Sequence, residues 1–403
     1  MRTACLRLAV AAALLVAVDQ GLLHTLAADD RLGDERLAPF DPPLFSDWQR
    51  EQLGRYRAQQ AAIEAGSVRP HQTMLDPELG WVPDPHRTHP DYRYDWSGAR
   101  VGVAPLARER REGVRRVVAV GCSFTHGDEV SGGQTWAARV DEARKDLEVA
   151  NLGCGGYGLD QALLRLRRDG LPLGPDEVWF GWLPAATGRV TTVFPPLLHH
   201  QARTILFKPR FHLDGAGRLV AVPNPAPSLA ANLAALSSQE AFLAAVGEDD
   251  LRLARTPAAY APRGSHWLHR SFVGRVLLTR RAQSRRASSD WLADPQSEVY
   301  RLYRALVLAM AEEARAAGAR FRLWVLPAVS HPHRSRLETG GLYWSHLAND
   351  LAAAGVETHD VTAVLEAAGG HANPSLWRPA GHYSAEGNAL VAGEMLRVLA
   401  LDG

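Results

Sequence analysis

The sequence is poor in cysteine, in net charge and in long apolar runs. Only three cysteines occur among 403 residues, which excludes a disulfide framework as the basis of the fold. The net charge of +1 and the isoelectric point near 7.9 give no reason to expect a nucleic-acid partner. The pairs His199-His200 and His331-Pro-His333 lack the spacing of a metal site, so neither a metal nor another cofactor is expected. The remaining composition, 46% apolar and 22% charged, is ordinary for one large domain or two smaller ones.

The longest apolar run near the N-terminus covers residues 8–18. It follows Arg2 and Arg7, which is the pattern of a secretory signal, and it is shorter than the roughly twenty residues that span a bilayer. Asp19 and a second apolar patch at Leu22 and Leu23 also suit an uncleaved anchor. We therefore predict that residues 1–28 are a signal peptide or membrane anchor, and that the protein is extracytoplasmic, whether secreted, periplasmic or membrane-anchored.

The segment VVAVGCSFTHGDEV, residues 117–130, begins with an apolar run that predicts a strand buried on both faces of a parallel sheet. Cys122 and Ser123 follow it directly, at the end where open α/β sheets carry ligands and chemistry. The α/β-hydrolase pattern G-x-S-x-G fails at Thr125. A phosphatase loop built on Cys122 fails because Asp128 stands where an arginine is needed. Ser123 can act as a nucleophile only with a base supplied from elsewhere, and is otherwise a turn or helix-cap residue.

A glycine-rich turn, residues 153–158, follows the next predicted strand, residues 147–151, and opens a helix. Backbone N–H groups in such a turn can bind a phosphate or a developing oxyanion, although a tight turn that needs small residues is the alternative. The dinucleotide pattern G-x-G-x-x-G is absent in register. Cys122 and Cys154 follow neighbouring predicted strands, so either a disulfide or two separate buried thiols is expected.

The last third of the chain supplies a histidine. Residues 381–388 read GHYSAEGN and lead into a last apolar helix. Together with the serine segment and the glycine turn, they resemble the blocks of the SGNH/GDSL hydrolases, with Cys122 in place of the usual aspartate. The resemblance implies that Ser123 is the nucleophile, that His382 is the general base and that Gly156 donates its N–H to the oxyanion. The segment DPELGW, residues 76–81, also resembles one found before the serine block of exported bacterial members.

Two positions depart from the family. Residues 183–187, after the predicted strand 177–182, read LPAAT and contain no asparagine to complete the oxyanion hole, a loss worth about 3 kcal/mol in such sites. Thr187 or a backbone N–H is the candidate replacement. The aspartate that the family places two or three residues before the histidine is also missing, because Pro379 and Ala380 stand there. Asp360, at the end of a predicted strand, is the candidate acid that orients His382, and a backbone carbonyl is the alternative.

The resemblance implies a three-layer α/β/α, flavodoxin-like (SGNH) fold with a parallel sheet of about five strands and a large insertion. We predict an N-terminal extension packed on the core at 29–115, the two core halves at 116–189 and 296–403, and an insertion at 190–295. The insertion is expected to contain a hairpin and helices and is a candidate lid. Within it, residues 266–286 alternate apolar residues with six arginines, which suits either a membrane surface or packing on its own domain.

The function implied by the resemblance is that of an exported serine esterase, acyl hydrolase or O-acyltransferase. Its substrate would be an acyl ester, including one on a cell-surface carbohydrate. Trp179 and Trp182 suit a carbohydrate-facing cleft and suit a core equally well. The alternative is an inactive SGNH-like protein that binds a glycan or scaffolds an envelope assembly. The missing asparagine and aspartate favour this alternative, whereas the retained Ser123 and His382 oppose it.

Overall fold

The computed structural model describes residues 2–26, 29–69, 74–84, 91–247, 250–284 and 288–401. The chain forms two compact units. One unit contains most of the N-terminal segment and of the predicted insertion, and the other contains both predicted halves of the core. Their ranges are Met1–Pro70, Thr191–Lys208 and Asn224–Arg285 for the first unit, and His71–Val190, Pro209–Pro223 and Arg286–Gly403 for the second.

The strands form one large sheet and several two-stranded ribbons, among them the predicted hairpin of the insertion, β8 and β9. In chain order the strands are β1 (Arg31–Leu32), β2 (Glu35–Arg36), β3 (Leu75–Asp76), β4 (Gly80–Trp81), β5 (Arg115–Gly121), β6 (Leu147–Asn151), β7 (Glu177–Trp182), β8 (Arg210–Leu213), β9 (Leu219–Val222), β10 (Arg320–Val325) and β11 (Glu357–Asp360).

The α-helices range from single turns to a 25-residue helix at the N-terminus. In chain order they are α1 (Arg2–Leu26), α2 (Asp47–Glu64), α3 (Ser123–His126), α4 (Trp136–Ala143), α5 (Leu159–Arg165), α6 (Pro195–Leu198), α7 (Leu229–Ala235), α8 (Gln239–Val246), α9 (Pro257–Tyr260), α10 (Phe272–Gln283), α11 (Ser288–Leu292), α12 (Glu298–Ala316), α13 (His331–Thr339), α14 (Ser345–Ala353), α15 (Thr362–Ala367) and α16 (Ala385–Ala400).

The second unit is organised around the large sheet. Its strands lie in the order β11, β10, β7, β5, β6, and all neighbours are parallel. The chain runs from β5 outward to β6 and then returns past β5 to β7, so the direction of winding reverses between β5 and β7. In open α/β sheets, the crevice at the carboxyl ends of two such strands is where ligands bind. The predicted five-stranded parallel sheet is confirmed.

Helices cover both faces of this sheet and give the predicted three layers. On one side α4, α15 and α16 pack together, and on the other α5, α12 and α14 do. β7 is buried along its whole length. Trp179 and Trp182 lie on it with no exposed surface, packed against Trp324 and Tyr303 respectively. Both tryptophans are core residues, so the interpretation that they line a carbohydrate-facing cleft is wrong.

A buried ion pair joins the amino ends of β7 and β10. The Arg322 Nε–H donates to Glu177 Oε2 at 2.9 Å, and the same oxygen accepts the Trp179 indole N–H at 2.9 Å. The Arg322 and Glu177 side chains are 0% and 3% exposed. A buried charge is tolerated only where it is paired and hydrogen-bonded, and here Arg115 also pairs with Glu177 and Glu357 also pairs with Arg322.

The first unit contains α1 and α10. The window Ala9–Leu26 of α1 is long and apolar enough to cross a membrane, and its position near the N-terminus suits a signal sequence as well. Arg275 in α10 is buried, where its Nε–H donates to the Ala38 carbonyl at 2.7 Å and Nη2 pairs with Asp30 at 2.9 Å. At least one of the six arginines in 266–286 therefore packs on its own unit.

Candidate active site

Ser123 is the first residue of α3, the single turn that follows β5 at the switch point of the sheet. The turn requires glycine at position 121, because a Cβ there would collide with the Thr125 side chain and lie 2.7 Å from the Gly181 carbonyl oxygen. Ser123 is only 5% exposed, and its hydroxyl makes no hydrogen bond to another described residue. A hydroxyl group is thus held at the carboxyl edge of the central strand.

His382 reaches the same edge from the loop before α16. Its ring packs on Phe124, the residue after Ser123, with 5.2 Å between ring centroids. The rest of this segment fixes the chain: the Ser384 hydroxyl caps α16 by accepting the N–H groups of Glu386 and Gly387, each at 3.1 Å. The Tyr383 hydroxyl donates to the Pro327 carbonyl at 2.9 Å. The structure therefore places His382 next to the helical turn α3 that carries Ser123.

The partner of His382 is Glu129. The imidazole Nδ1 lies 2.7 Å from Glu129 Oε2, and Glu129 Oε1 accepts the backbone N–H of Ala380 at 3.2 Å. Ala380 stands at the position where the family carries its aspartate. Glu129 has a φ of +68°, a conformation that costs a residue with a side chain about 1 kcal/mol or more and is typical of functional positions. Its backbone N–H donates to the Tyr92 hydroxyl at 2.8 Å, which holds the loop in place.

Asp360 does not orient His382, and this prediction is wrong. Its Oδ2 accepts the indole N–H of Trp344 at 2.9 Å, and its Oδ1 accepts the backbone N–H of Thr362 at 2.8 Å. The reason is that both oxygens of the Asp360 carboxylate, at the end of the edge strand β11, already accept hydrogen bonds from Trp344 and Thr362.

The glycine turn after β6 lies beside the serine turn. Gly156 has a φ of +81°, and a Cβ there would lie 3.3 Å from Trp81 Cζ2. Trp81 fixes the turn, because its indole N–H donates to the Gly155 carbonyl at 2.9 Å and its own carbonyl accepts the Tyr157 hydroxyl at 2.6 Å. Among the described residues, nothing accepts the backbone N–H of Ser123 or of Gly156. These two N–H groups are therefore available to a ligand.

Thr187 does not replace the missing asparagine side chain. It follows β7 in a 3₁₀ segment, Pro184–Thr191, is fully buried, and its hydroxyl donates to the Pro184 carbonyl at 2.8 Å. The Thr187 hydroxyl proton is used in a hydrogen bond within its own turn and is therefore not available to a substrate.

A buried polar network lies next to the serine turn. His126 contacts Asp128 through Nδ1 and lies 2.9 Å from the Tyr94 hydroxyl through Nε2. Burial lowers the pKa of His126 by more than the neighbouring Asp128 carboxylate raises it, so this imidazole is neutral near pH 7. Burial alone would raise the pKa of Asp128, but the hydrogen bond with His126 and its other surroundings, which include the Arg100 guanidinium, outweigh burial and lower that pKa. A carboxylate thus stays charged beside the site.

The thiols of Cys122 and Cys154 are both free and buried, so they do not form a disulfide. Burial raises the pKa of Cys154 to about 12, which makes it a poor nucleophile. Within the part of the chain that the structure describes, no group of three histidine, cysteine or acidic side chains is arranged to hold a metal ion.

Glu129 is the candidate site residue that sequence reasoning missed. It lies six residues after Ser123, inside the stretch that drew attention first. A signal was present, since a carboxylate followed the serine turn in a chain that lacked the usual acid before its histidine. His126 and Asp128 were missed for another reason: their pairing depends on burial, which the sequence pattern does not indicate.

The sequence matches no protein family and no curated protein. Several solved structures are similar in fold. A lipolytic protein of the G-D-S-L family from Veillonella parvula is 11% identical, with 71% of this chain and 98% of that one covered and a TM-score of 0.36. A GDSL-like lipase from Bacteroides thetaiotaomicron is 14% identical, with 74% and 93% covered and a TM-score of 0.34. An acetylxylan esterase from Geobacillus stearothermophilus is 11% identical, with 72% and 95% covered and a TM-score of 0.39.

Proposed function

We propose that the protein is an extracytoplasmic serine esterase or acyltransferase of the SGNH type, acting on an acyl ester through Ser123, His382 and Glu129. The observation that carries the proposal is the 2.7 Å contact between His382 Nδ1 and Glu129 Oε2. A carboxylate at this nitrogen keeps the proton on Nδ1 and leaves Nε2 free to accept a proton from a serine. The apolar helix α1 supports export.

The reaction follows from these roles. As the Ser123 hydroxyl attacks the ester carbonyl, His382 Nε2 takes its proton and Glu129 stabilises the imidazolium that forms. The oxyanion accepts hydrogen bonds from the N–H groups of Ser123 and Gly156. His382 then gives its proton to the leaving alcohol, and the acyl group stays on the serine. Attack by water regenerates the enzyme as a hydrolase, whereas attack by a sugar hydroxyl transfers the acyl group.

The hypothesis of an inactive binding protein loses one of the two observations that favoured it, the missing acid before His382. A binding protein was favoured by the absence of an orienting acid before His382, and Glu129 supplies a carboxylate to the same nitrogen from another loop. The missing asparagine removes one oxyanion donor and lowers the expected rate without removing the nucleophile.

The test is labelling with a fluorophosphonate probe, which reacts with activated serines. We expect the full chain to be labelled, and Ser123→Ala and His382→Ala to abolish labelling while their thermal unfolding stays close to that of the natural protein. Ser237→Ala, at an exposed serine of the first unit, is the matched control and should be labelled normally. A folded protein that resists the probe would contradict the proposal, and its binding to polysaccharide would then be measured.

A further inference from the structure

The N-terminal helix α1 has two halves with different surroundings. From Ala9 to Val18 every residue is exposed, and Leu14, Leu15 and Val16 are each more than 60% exposed. From Asp19 to Leu23 most residues are half-buried, because α1 packs there on α10 of the same unit. The first half therefore leaves an apolar surface with no protein around it, and the second half is part of a folded unit.

The junction of the two helices is specific. Asp19 accepts hydrogen bonds from the Ser271 hydroxyl at 3.1 Å and from the backbone N–H groups of Phe272 and Val273 at 3.2 and 2.9 Å. The Gln20 side-chain amide donates to the Arg270 carbonyl at 2.7 Å. Asp19 thus satisfies donors at the first turn of α10 that the helix itself leaves open. A signal peptide that is cleaved has no need of such bonds, and cleavage at the end of segment 1–28 would remove them.

The length of α1 shows how far a surrounding bilayer would extend toward the contact between α1 and α10. The window Ala9–Leu26 has 18 residues and measures about 27 Å, close to the roughly 30 Å of hydrocarbon in a bilayer. The exposed half alone covers only about half of that thickness. A bilayer that surrounds the whole window must therefore also reach the level at which α1 packs on α10.

The exposed face of α10 has the composition of a segment that lies at a membrane surface. Val273 and Leu277 lie four residues apart on one face of the helix and are 52% and 59% exposed, and Trp267 just before the helix is 72% exposed. Arg270, Arg280 and Arg281 are also exposed, so guanidinium groups flank the apolar residues along the same segment. An aromatic residue and arginines around an apolar face are typical of helices that lie at a lipid headgroup boundary.

We propose that α1 is retained as a membrane anchor and that Trp267, Val273 and Leu277 form a second contact with the same phospholipid bilayer. The lipid surface is favoured over a protein partner because this face is continuous with α1, whose window Ala9–Leu26 has the length and composition of a membrane segment. The first unit then lies directly on the membrane surface, which it contacts through α10 as well as through α1.

The first experiment is an intact mass of the full chain, produced in a bacterial host that exports proteins and purified from the membrane fraction. We expect the complete 43.9 kDa chain. A mature protein that begins near residue 29 would overturn the proposal.

The second experiment measures how close the exposed face of α10 lies to the lipid. In a Cys5→Ser background, Val273→Cys and Leu277→Cys are labelled with a fluorophore and placed in nanodiscs of phosphatidylethanolamine and phosphatidylglycerol. Ser237→Cys, at an exposed serine of the same unit outside α1 and α10, is the matched control, and Cys122 and Cys154 are buried from the label. Nitroxide lipids should quench positions 273 and 277 at least about twofold and leave 237 unchanged. Equal fluorescence at all three positions, in variants whose thermal unfolding is normal, would show that this face does not touch lipid.

Discussion

The change Glu129→Gln tests the active site most directly, because it keeps the size of the side chain and alters only its hydrogen bonding. The carboxylate accepts two N–H groups, those of His382 at 2.7 Å and Ala380 at 3.2 Å. An amide has one oxygen and one NH₂ group and cannot accept both. If its oxygen faces Ala380, its NH₂ faces Nδ1 and forces the imidazole proton onto Nε2, the atom that must accept the serine proton. If its oxygen faces His382, two donors meet at Ala380.

The size of the activity loss in Glu129→Gln follows from the imidazole tautomer that the amide imposes and from the lost negative charge. An amide in place of a buried triad acid lowers kcat by about 10⁴-fold, because the histidine adopts the wrong tautomer. The Glu129 side chain is 25% exposed, so water can partly replace it. We therefore expect a loss of about 10²- to 10³-fold, equivalent to roughly 3–4 kcal/mol in the activation barrier. Stability should change by less than about 1 kcal/mol, as for other partly exposed pairs.

The assay is the rate constant of fluorophosphonate labelling, together with hydrolysis of p-nitrophenyl acetate and thermal unfolding. Asp360→Asn is the control, since that carboxylate bonds to Trp344 and Thr362 and not to His382. It should stay within about threefold of the natural rate. The reasoning is refuted if Glu129→Gln keeps its full rate, or if Asp360→Asn loses more activity than Glu129→Gln does.

Three further predictions concern the turn, the network and the core. Gly156→Ala should slow labelling by about 100-fold, because its φ of +81° and the 3.3 Å approach of Trp81 both disfavour a Cβ, so the oxyanion N–H shifts; an unchanged rate would exclude this N–H from the reaction. The pKa of His126 is lower in the folded state than its ordinary 6.5, so the unfolded state binds the proton first and stability falls as the pH drops below about 6.5. Thermal scans between about pH 7.5 and 5.5 should show a shallower decline in His126→Gln, and parallel curves would contradict the lowered pKa. Arg322→Leu removes one of the two guanidinium groups that pair with the buried Glu177, the other being Arg115 at 3.0 Å, and should lower the free energy of unfolding in urea by up to about 3–5 kcal/mol, whereas a loss below about 1 kcal/mol would mean that Arg115 and the Trp179 indole satisfy the carboxylate.

The elements of the main sheet could be predicted because their signals are local. The predicted strands 147–151 and 177–182 have the same bounds as β6 and β7, since short apolar runs between turn residues and charged residues define both ends. Burial on both faces explains why these runs are continuous and do not alternate. Ser123 and His382 could be proposed for the same reason, as each lies in a segment whose pattern resembles a family block.

The acid and the role of the tryptophans could not be predicted in this way. Choosing Asp360 required knowing how far β11 lies from β5, and strand order is a property of the whole sheet. Glu129 became the partner of His382 because a backbone conformation with positive φ turns its side chain toward a loop 250 residues away in the chain. Trp179 and Trp182 carry the same sequence signal whether they line a cleft or fill a core, and only packing separates the two.

The position of Glu129 has a consequence for how relatives of this chain are recognised. The proposed nucleophile Ser123 and the proposed acid Glu129 lie in one nine-residue segment, GCSFTHGDE, and the C-terminal segment contributes only the proposed base. A search that requires an aspartate shortly before the histidine would class such a chain as a dead enzyme. A search that asks for an acidic residue six positions after the serine, together with G-H-Y-S near the C-terminus, would instead test whether other chains carry the proposed acid in the first block of the sequence and not in the last.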